Sequence, residues 1–408
     1  MKIVLLSDRI PPENVGGAGR VAWILAGGLR RIGHDVQVIA ATEKNTFHDV
    51  RDGIKCYHLH VTPSERWAAW RGVYSFESMP LIRKLIEQIK PDVVNAHNVH
   101  GALSWWSLVA ARSAGSPVVF TAHDLMSVAY TKLTHFIQPD GGIGSYRLPP
   151  LHNLRQMRLR YNPFRNALIK RILLKQVSRR VCVGETQRQA LAENGLPGFE
   201  VVRNGIDVSA FRSDPQAVRD FQARYENRPL VLFAGRLSGE KGAYLLLDAW
   251  RIVHQQRPDA RLLCLGPDAL ITPILRDYAD LRDKGSVIAG GWLQGRDLIA
   301  AYHASVMVVA PSIFLESMPM VALEGMAASK PLIVSPYGGL PELVKADQTG
   351  FIVSPFDRTA FAEKLLFLLN HPEQAAGMGR QGREWVEDQF PLALQVAEME
   401  RIFHEVQS

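Results

Sequence analysis

Short runs of aliphatic and β-branched residues recur along this chain with helix-patterned stretches between them, and that alternation leaves few folds open. Two parallel strands can be joined only by a crossover, so a strand–helix–strand series builds a parallel sheet covered by helices. In the first half the expected strands are Lys2-Ser7, Asp35-Ala41, Lys55-Val61, Asp92-Ala96, Pro117-Thr121, Arg180-Val183 and Glu200-Val202. In the second they are Pro229-Ala234, Ala260-Leu265, Ser286-Ile288, Val306-Ala310, Pro331-Val334 and Gly350-Val353. Between the two series lies Arg203-Asn204-Gly205-Ile206-Asp207, whose Asn-Gly turn ends one before the next begins. The pattern predicts an α/β protein with doubly wound domains over residues 1–204 and 205–390. A last helix over 391–408 follows Pro391, with apolar residues at Leu392, Leu394, Val396, Ile402, Phe403 and Val406.

Composition narrows the class. With 408 residues, 47% hydrophobic and 21% charged, the chain is long enough for two cores and has no tract that reads as disordered. Met1-Lys2-Ile3-Val4-Leu5-Leu6-Ser7-Asp8 is too short an apolar run for a signal peptide, and no stretch approaches the roughly 20 apolar residues of a membrane span. A cytoplasmic protein is expected. Cys56, Cys182 and Cys264 fall singly in apolar runs and read as buried structural thiols, not zinc ligands. The net charge of +7 suits an anionic partner without choosing one. From Gly141 to Gly184 there is no acidic residue, while Arg147, Arg155, Arg158, Arg160, Arg165, Lys170, Arg171, Lys175, Arg179 and Arg180 are basic. Two readings stand for this stretch: a solvated helix face over the core, or an anionic-membrane contact to which Leu168, Ile169, Ile172 and Leu173 would add shallow insertion.

Three motifs can carry chemistry. Gly16-Gly17-Ala18-Gly19 follows the first strand and opens a helix, where bare amides can face an anion, though such a loop also occurs as a simple turn. Gly235-Arg236-Leu237-Ser238-Gly239-Glu240-Lys241-Gly242 sits at a strand-to-helix turn and adds two cations to it. A diphosphate is the ligand this suits; the competing reading pairs Arg236 with Glu240 and leaves Lys241 in solvent. Glu316 and Glu324 flank Pro319 after another strand, and carboxylates at a strand's C-terminal edge accept hydrogen bonds from vicinal hydroxyls such as those of sugars and ribose.

Pro311-Ser312, the Glu316/Glu324 pair, Ala327, Pro331 and Gly338-Gly339-Leu340-Pro341-Glu342 resemble the E-x7-E block of family 4 glycosyltransferases. The match extends, in order, through Gly16-Gly17, His123-Asp124, Asn204-Gly205-Ile206-Asp207 and Gly235 to Gly242. The resemblance implies a GT-B fold, two Rossmann-like domains facing across a cleft, with the last helix returning to the first. It implies that Arg236 and Lys241 hold the donor diphosphate, that Glu316 contacts the transferred sugar and that Glu324 contacts the ribose. It places His123 at the donor sugar, Trp292 near the nucleobase and the Gly16 and Gly17 amides along the cleft. Where many relatives have Phe-Gly after the first glutamate, this chain has Ser317-Met318 before Pro319, a difference that bears on donor-sugar selectivity.

The activity implied is retaining sugar transfer from a nucleotide sugar to a glycan or lipid-linked acceptor, of the kind used in polysaccharide or glycolipid synthesis. The segments 63–79 and 125–150, where acceptor contacts are expected, carry no recognisable motif. No Asp-x-Asp pair is present, so neither a metal nor another cofactor is expected. A nucleotide-sugar epimerase or a phosphorylase would share the two-domain design. A nucleic-acid-binding role, suggested by Tyr161 and Phe164 among the arginines, leaves the paired glutamates unexplained and is not expected. Peripheral attachment to the inner face of the cell membrane is the further expectation from the basic stretch.

Overall fold

The computed structural model describes residues 1–13, 16–62, 67–149, 151–158 and 161–407. It resolves into two compact units, one of residues 1–133, 146–204 and 392–408, the other of residues 134–145 and 205–391. In the first, eight strands form a sheet: β1 (Lys2–Ser7), β2 (Asp35–Thr42), β3 (Phe47–Arg51), β4 (Ile54–His60), β5 (Val93–Ala96), β6 (Val118–Ala122), β7 (Arg179–Cys182) and β8 (Phe199–Val201). Their order is β3-β4-β2-β1-β5-β6-β7-β8, parallel throughout except for the β3–β4 pair. The second unit carries β9 (Leu230–Ala234), β10 (Arg261–Leu265), β11 (Val287–Ala289), β12 (Ser305–Ala310), β13 (Leu332–Val334) and β14 (Gly350–Ile352) in the order β11-β10-β9-β12-β13-β14.

The central strands are apolar on both faces because helices cover both. β1 is buried from Ile3 to Ser7 and β9 from Leu230 to Phe233. In each sheet the chain reverses its direction of winding at a central strand, β1 in one and β9 in the other, and the loops beyond the strands' C-terminal ends open there. In the first unit, Leu392, Val396, Met399, Ile402 and Phe403 of the helix Leu392–Gln407 share one core with Ile3, Leu5, Leu25 and Leu29. Residues 134–145 belong instead to the second unit, where the Tyr337 hydroxyl donates to the Gly141 carbonyl at 2.9 Å.

β3 was not among the expected strands. Its Phe-His-Asp-Val-Arg sequence is mostly exposed, as befits an antiparallel edge hairpin, and offers no apolar run to read. The basic stretch needs a larger correction. Ile169, Ile172 and Leu173 are buried, so they are core and unavailable for membrane insertion. Arg165 is only 1% exposed: it donates to the Met126 carbonyl and to Asn166 Oδ1 and lies 5.0 Å from the Tyr130 ring centroid. Burial lowers its pKa below the ordinary arginine value. Arg180 is half-buried on the Leu173 carbonyl, and Arg160 lies outside the described residues. All three cysteines are buried and none is in a disulfide. No helix among the described residues is long and apolar enough to cross a membrane.

Candidate active site

In the second unit, two loops that leave neighbouring strands are locked together. The Ile313 amide donates to the Glu240 carbonyl at 2.8 Å, and a Cβ on Gly242 would lie 2.0 Å from the Pro311 carbonyl oxygen. Gly242 has φ +75°, so both its backbone and its close approach require glycine. This contact brings Lys241, at the turn after β9, onto Glu316, in the loop after β12. The two form an ion pair whose side chains are 17% and 13% exposed. Ser312 Oγ donates to Glu316 Oε2 at 2.6 Å, and Lys241 Nζ stands 5.4 Å from the Phe314 ring centroid. Lys241 is therefore engaged, not solvated, and among the described residues no ion pair joins Arg236 to Glu240. Arg236 is exposed, directly after Gly235.

The Glu316 loop is held from behind. The Gly339 amide donates to the Glu316 carbonyl at 2.7 Å, and a Cβ on Gly339 would fall 1.8 Å from the Ser317 carbonyl oxygen. Ser317 and Met318 are buried, so the Met318 side chain points into the fold. Pro319 then caps the helix Met320–Ala327, which carries Glu324. Glu324 is 4% exposed and its Oε2 accepts a 2.6 Å hydrogen bond from the hydroxyl of Tyr302, a fully buried residue of the helix Gly295–Ala304. Trp292 lies on the loop after β11, half-exposed, next to Gly291, whose carbonyl accepts from the Gly266 amide at 2.9 Å.

Gly16, Gly17 and His123 lie in the first unit. Gly16 precedes the helix Gly17–Arg31, both glycines are exposed, and no acidic residue occupies that helix's first turn. His123 follows β6 and is partly buried. Its Nε2 is 2.8 Å from Nδ1 of His97, which follows β5, and the rings meet edge to edge, nearly coplanar, with 5.1 Å between centroids and 12° between planes. Beside them Asn98 Nδ2 donates to Asp124 Oδ2 at 2.8 Å, while Gln187 Nε2 donates to the carbonyls of Ala122 and Asp124. Burial drops His123 to about 4 against a raising influence of Asp124, and burial with His123 alongside holds His97 well below the ordinary histidine value. Both rings are neutral near pH 7.

Tyr302 and His97 escaped the sequence reading. Tyr302 is one more apolar-face residue of a helix and gives no signal. His97 follows its strand as His123 follows the neighbouring one, and that parallel was readable. One group of metal-type side chains occurs among the described residues: Asp49, Cys56 and His58. Burial raises the Cys56 thiol to about 11, and His58 Nε2 is shared between Asp49 and the Arg51 guanidinium, so a cation would meet a protonated thiol and a fixed positive charge.

Two winding parallel sheets with their strand-end loops built this way define a GT-B glycosyltransferase fold. Two family models match: "Glycosyltransferase Family 4" over residues 15–210 and "Glycosyl transferases group 1" over residues 215–385. The chain belongs to the group 1 glycosyltransferases of family 4, enzymes that move a sugar from a nucleotide-sugar donor. Glycogen synthase of Mycobacterium tuberculosis is 26% identical over 417 residues, covering 96% of this chain and 91% of that protein. A GDP-mannose-dependent alpha-(1-6)-phosphatidylinositol monomannoside mannosyltransferase of Mycolicibacterium smegmatis is 30% identical over 212 residues, 50% of this chain and 55% of its own length. Sucrose-phosphate synthase of Thermosynechococcus elongatus shares the fold with a TM-score of 0.76 at 18% identity, over 99% of this chain and 98% of that one. Anabaena HepE in complex with UDP and glucose shares it at 0.73 and 18% identity, over 99% of each chain.

Proposed function

We propose that this chain is a metal-independent, retaining hexosyltransferase whose donor is held by the second unit and whose acceptor is a hydroxyl of a glycan or lipid-linked glycan. The observation that carries this reading is the Lys241–Glu316 pair at the loops after β9 and β12. Its cation suits a diphosphate leaving group and its carboxylate suits sugar hydroxyls. Cleaving the anomeric bond creates an oxocarbenium-like centre and a departing nucleoside diphosphate, so the main requirement is stabilising the departing charge. Lys241 and Arg236 serve that role with fixed cations where other enzymes use a metal. Glu316 positions the sugar, and no residue is assigned as a covalent nucleophile. Glu324, held by Tyr302, accepts from the ribose hydroxyls, and Trp292 lies against the base. The backbone of Ser317, Met318 and Pro319, fixed by the glycine contacts behind it, approaches the sugar or phosphate. In the first unit, His123 takes part in sugar transfer and the Gly16 and Gly17 amides offer anion contacts.

A lipid-linked acceptor is supported by the face that remains after the correction to the basic stretch. Arg155, Arg158, Lys170, Arg171 and Lys175 are exposed, with Leu151, Phe164 and Leu174 exposed among them. Each basic residue near an anionic bilayer contributes about 1 kcal/mol. Sedimentation with anionic vesicles at low salt, lost on Arg158→Glu with Arg171→Glu, supports docking; protein left in the supernatant points to a soluble acceptor. For the donor, nucleotide sugars are screened by thermal shift, where a ligand at 100 times its Kd stabilises by about 2.7 kcal/mol. The stabilising donor should be turned over in the presence of excess EDTA. Loss of turnover with EDTA and recovery with magnesium or manganese would overturn the metal-independent mechanism.

A further inference from the structure

Two neutral, nearly coplanar imidazoles joined nitrogen to nitrogen share the proton between them, and which ring owns it decides what the other ring offers. His97 is fully buried, and its Nε2 has no hydrogen-bond partner. If His123 donated, His97 would have to carry its proton on Nε2, leaving a buried N–H orphaned. If His97 donates from Nδ1, the orphan is an unprotonated nitrogen. Orphaned buried N–H groups are the rarer of the two in folded proteins, so the second arrangement is favoured. The ring that is partly exposed then carries its proton on the nitrogen turned away from His97.

We propose that His97 is a positioning residue for sugar transfer: its Nδ1–H, donated to Nε2 of His123, fixes His123 as the Nδ1–H tautomer, a hydrogen-bond donor toward the reacting sugar. The inference rests on the reading that His123 takes part in transfer. It explains why a histidine with no solvent access stands behind the strand end. A hydrogen bond to one imidazole nitrogen sets the state of the other. His123 would otherwise populate both tautomers, and the one protonated on Nε2 presents a lone pair where a donor is needed.

The test uses histidine-selective nitrogen-15 labelling of the full chain, with the His123 signals assigned by their loss in His123→Gln. The expected spectrum shows an unprotonated Nε2 and a protonated Nδ1 on His123. In His97→Leu the His123 signals move toward a tautomer mixture and kcat falls by about tenfold, the worth of one hydrogen bond, with nucleoside diphosphate affinity unchanged. His97→Asn, which places an amide N–H near the site of Nδ1, restores the tautomer and most of kcat, and so separates tautomer control from simple loss of packing. A proton on His123 Nε2 in the unaltered protein, or a spectrum unchanged in His97→Leu, overturns the inference. If His123→Ala itself leaves turnover unaffected, the reading of His123 in transfer fails, and the spectra show that failure to be separate from the tautomer assignment.

Discussion

At the scale of single residues, three of the candidate charges, Lys241, Glu316 and Glu324, already have partners. Lys241 and Glu316 neutralise each other with little solvent access, so a phosphate that draws on the lysine replaces an interaction instead of filling a vacancy. On the proposed function, Lys241→Ala removes leaving-group stabilisation and takes its cation from Glu316, which keeps the Ser312 hydrogen bond, and we expect kcat to fall by on the order of 100-fold or more. Steady-state rates at saturating donor check this; near-normal turnover in both Lys241→Ala and Arg236→Ala would remove the diphosphate assignment. The two glutamates should separate by ligand. Glu324→Ala is expected to weaken the free nucleoside diphosphate in calorimetry, whereas Glu316→Ala spares that affinity and depresses transfer. Tyr302→Phe deletes the hydroxyl that donates to Glu324 and should weaken the same nucleotide by about tenfold, a single hydrogen bond to a charged group being worth roughly 1.5–3 kcal/mol. Equal nucleotide affinities in Tyr302→Phe and the unaltered enzyme would mean that Glu324 does not depend on Tyr302 for its role.

Elements position these residues through backbone contacts as much as through side chains. A methyl group at Gly339 would overlap the Ser317 carbonyl, so Gly339→Ala must displace the loop that carries Glu316; transfer activity should be lost while the unit stays folded by circular dichroism. The C-terminal helix is tested differently. Phe403 is fully buried in the core shared with Ile3 and Leu5, and Phe403→Ala is expected to destabilise the first unit by about 3–5 kcal/mol in denaturant unfolding. A change under 1 kcal/mol would show that the helix is only loosely docked. What the sequence made legible follows from the same physics. Central strands such as β1 and β9 are apolar on both faces and announce themselves, but β3 is an exposed edge and does not. The Gly235 to Gly242 turn and the two glutamates were readable because two cations between glycines, and two carboxylates around Pro319, stand out beside apolar strands. The partnerships were not: that Ser312 would hold Glu316 and Tyr302 would hold Glu324 follows only from three-dimensional neighbours. Arg165 shows the reverse error, since a row of cations reads as solvated surface until the fold reveals one of them under Tyr130 and on the Met126 carbonyl.

For the whole molecule, the histidines make stability depend on pH in a defined direction. His97 and His123 in the first unit, and His254 and His303 in the second, all have pKa values lowered mainly by burial. In the unfolded chain a histidine titrates near 6.5. Between that value and the lower folded one, the unfolded state binds protons that the folded state refuses, so acid favours unfolding. The contribution is fully present above about pH 6.5 and is lost as the pH falls toward the folded values. For His123, dropped to about 4, the loss by pH 4.5 is on the order of 2 kcal/mol. Asp214, Asp259 and Asp280 are shifted low by their hydrogen bonds to backbone amides or arginines, and they add to acid sensitivity only below the ordinary carboxylate range. The histidine window, about pH 6.5 to 4.5, is therefore separable from theirs. Urea midpoints measured across it should fall steadily for the unaltered protein. They should fall less for a His97→Asn, His123→Asn double variant, because its replaced side chains cannot take up the proton. A double variant that loses as much stability as the unaltered chain between pH 6.5 and 4.5 would show that the hydrogen-bonded histidine pair already titrates near 6.5 in the folded state. It would also remove the neutral pair, with one N–H on each ring, on which the His123 tautomer assignment depends.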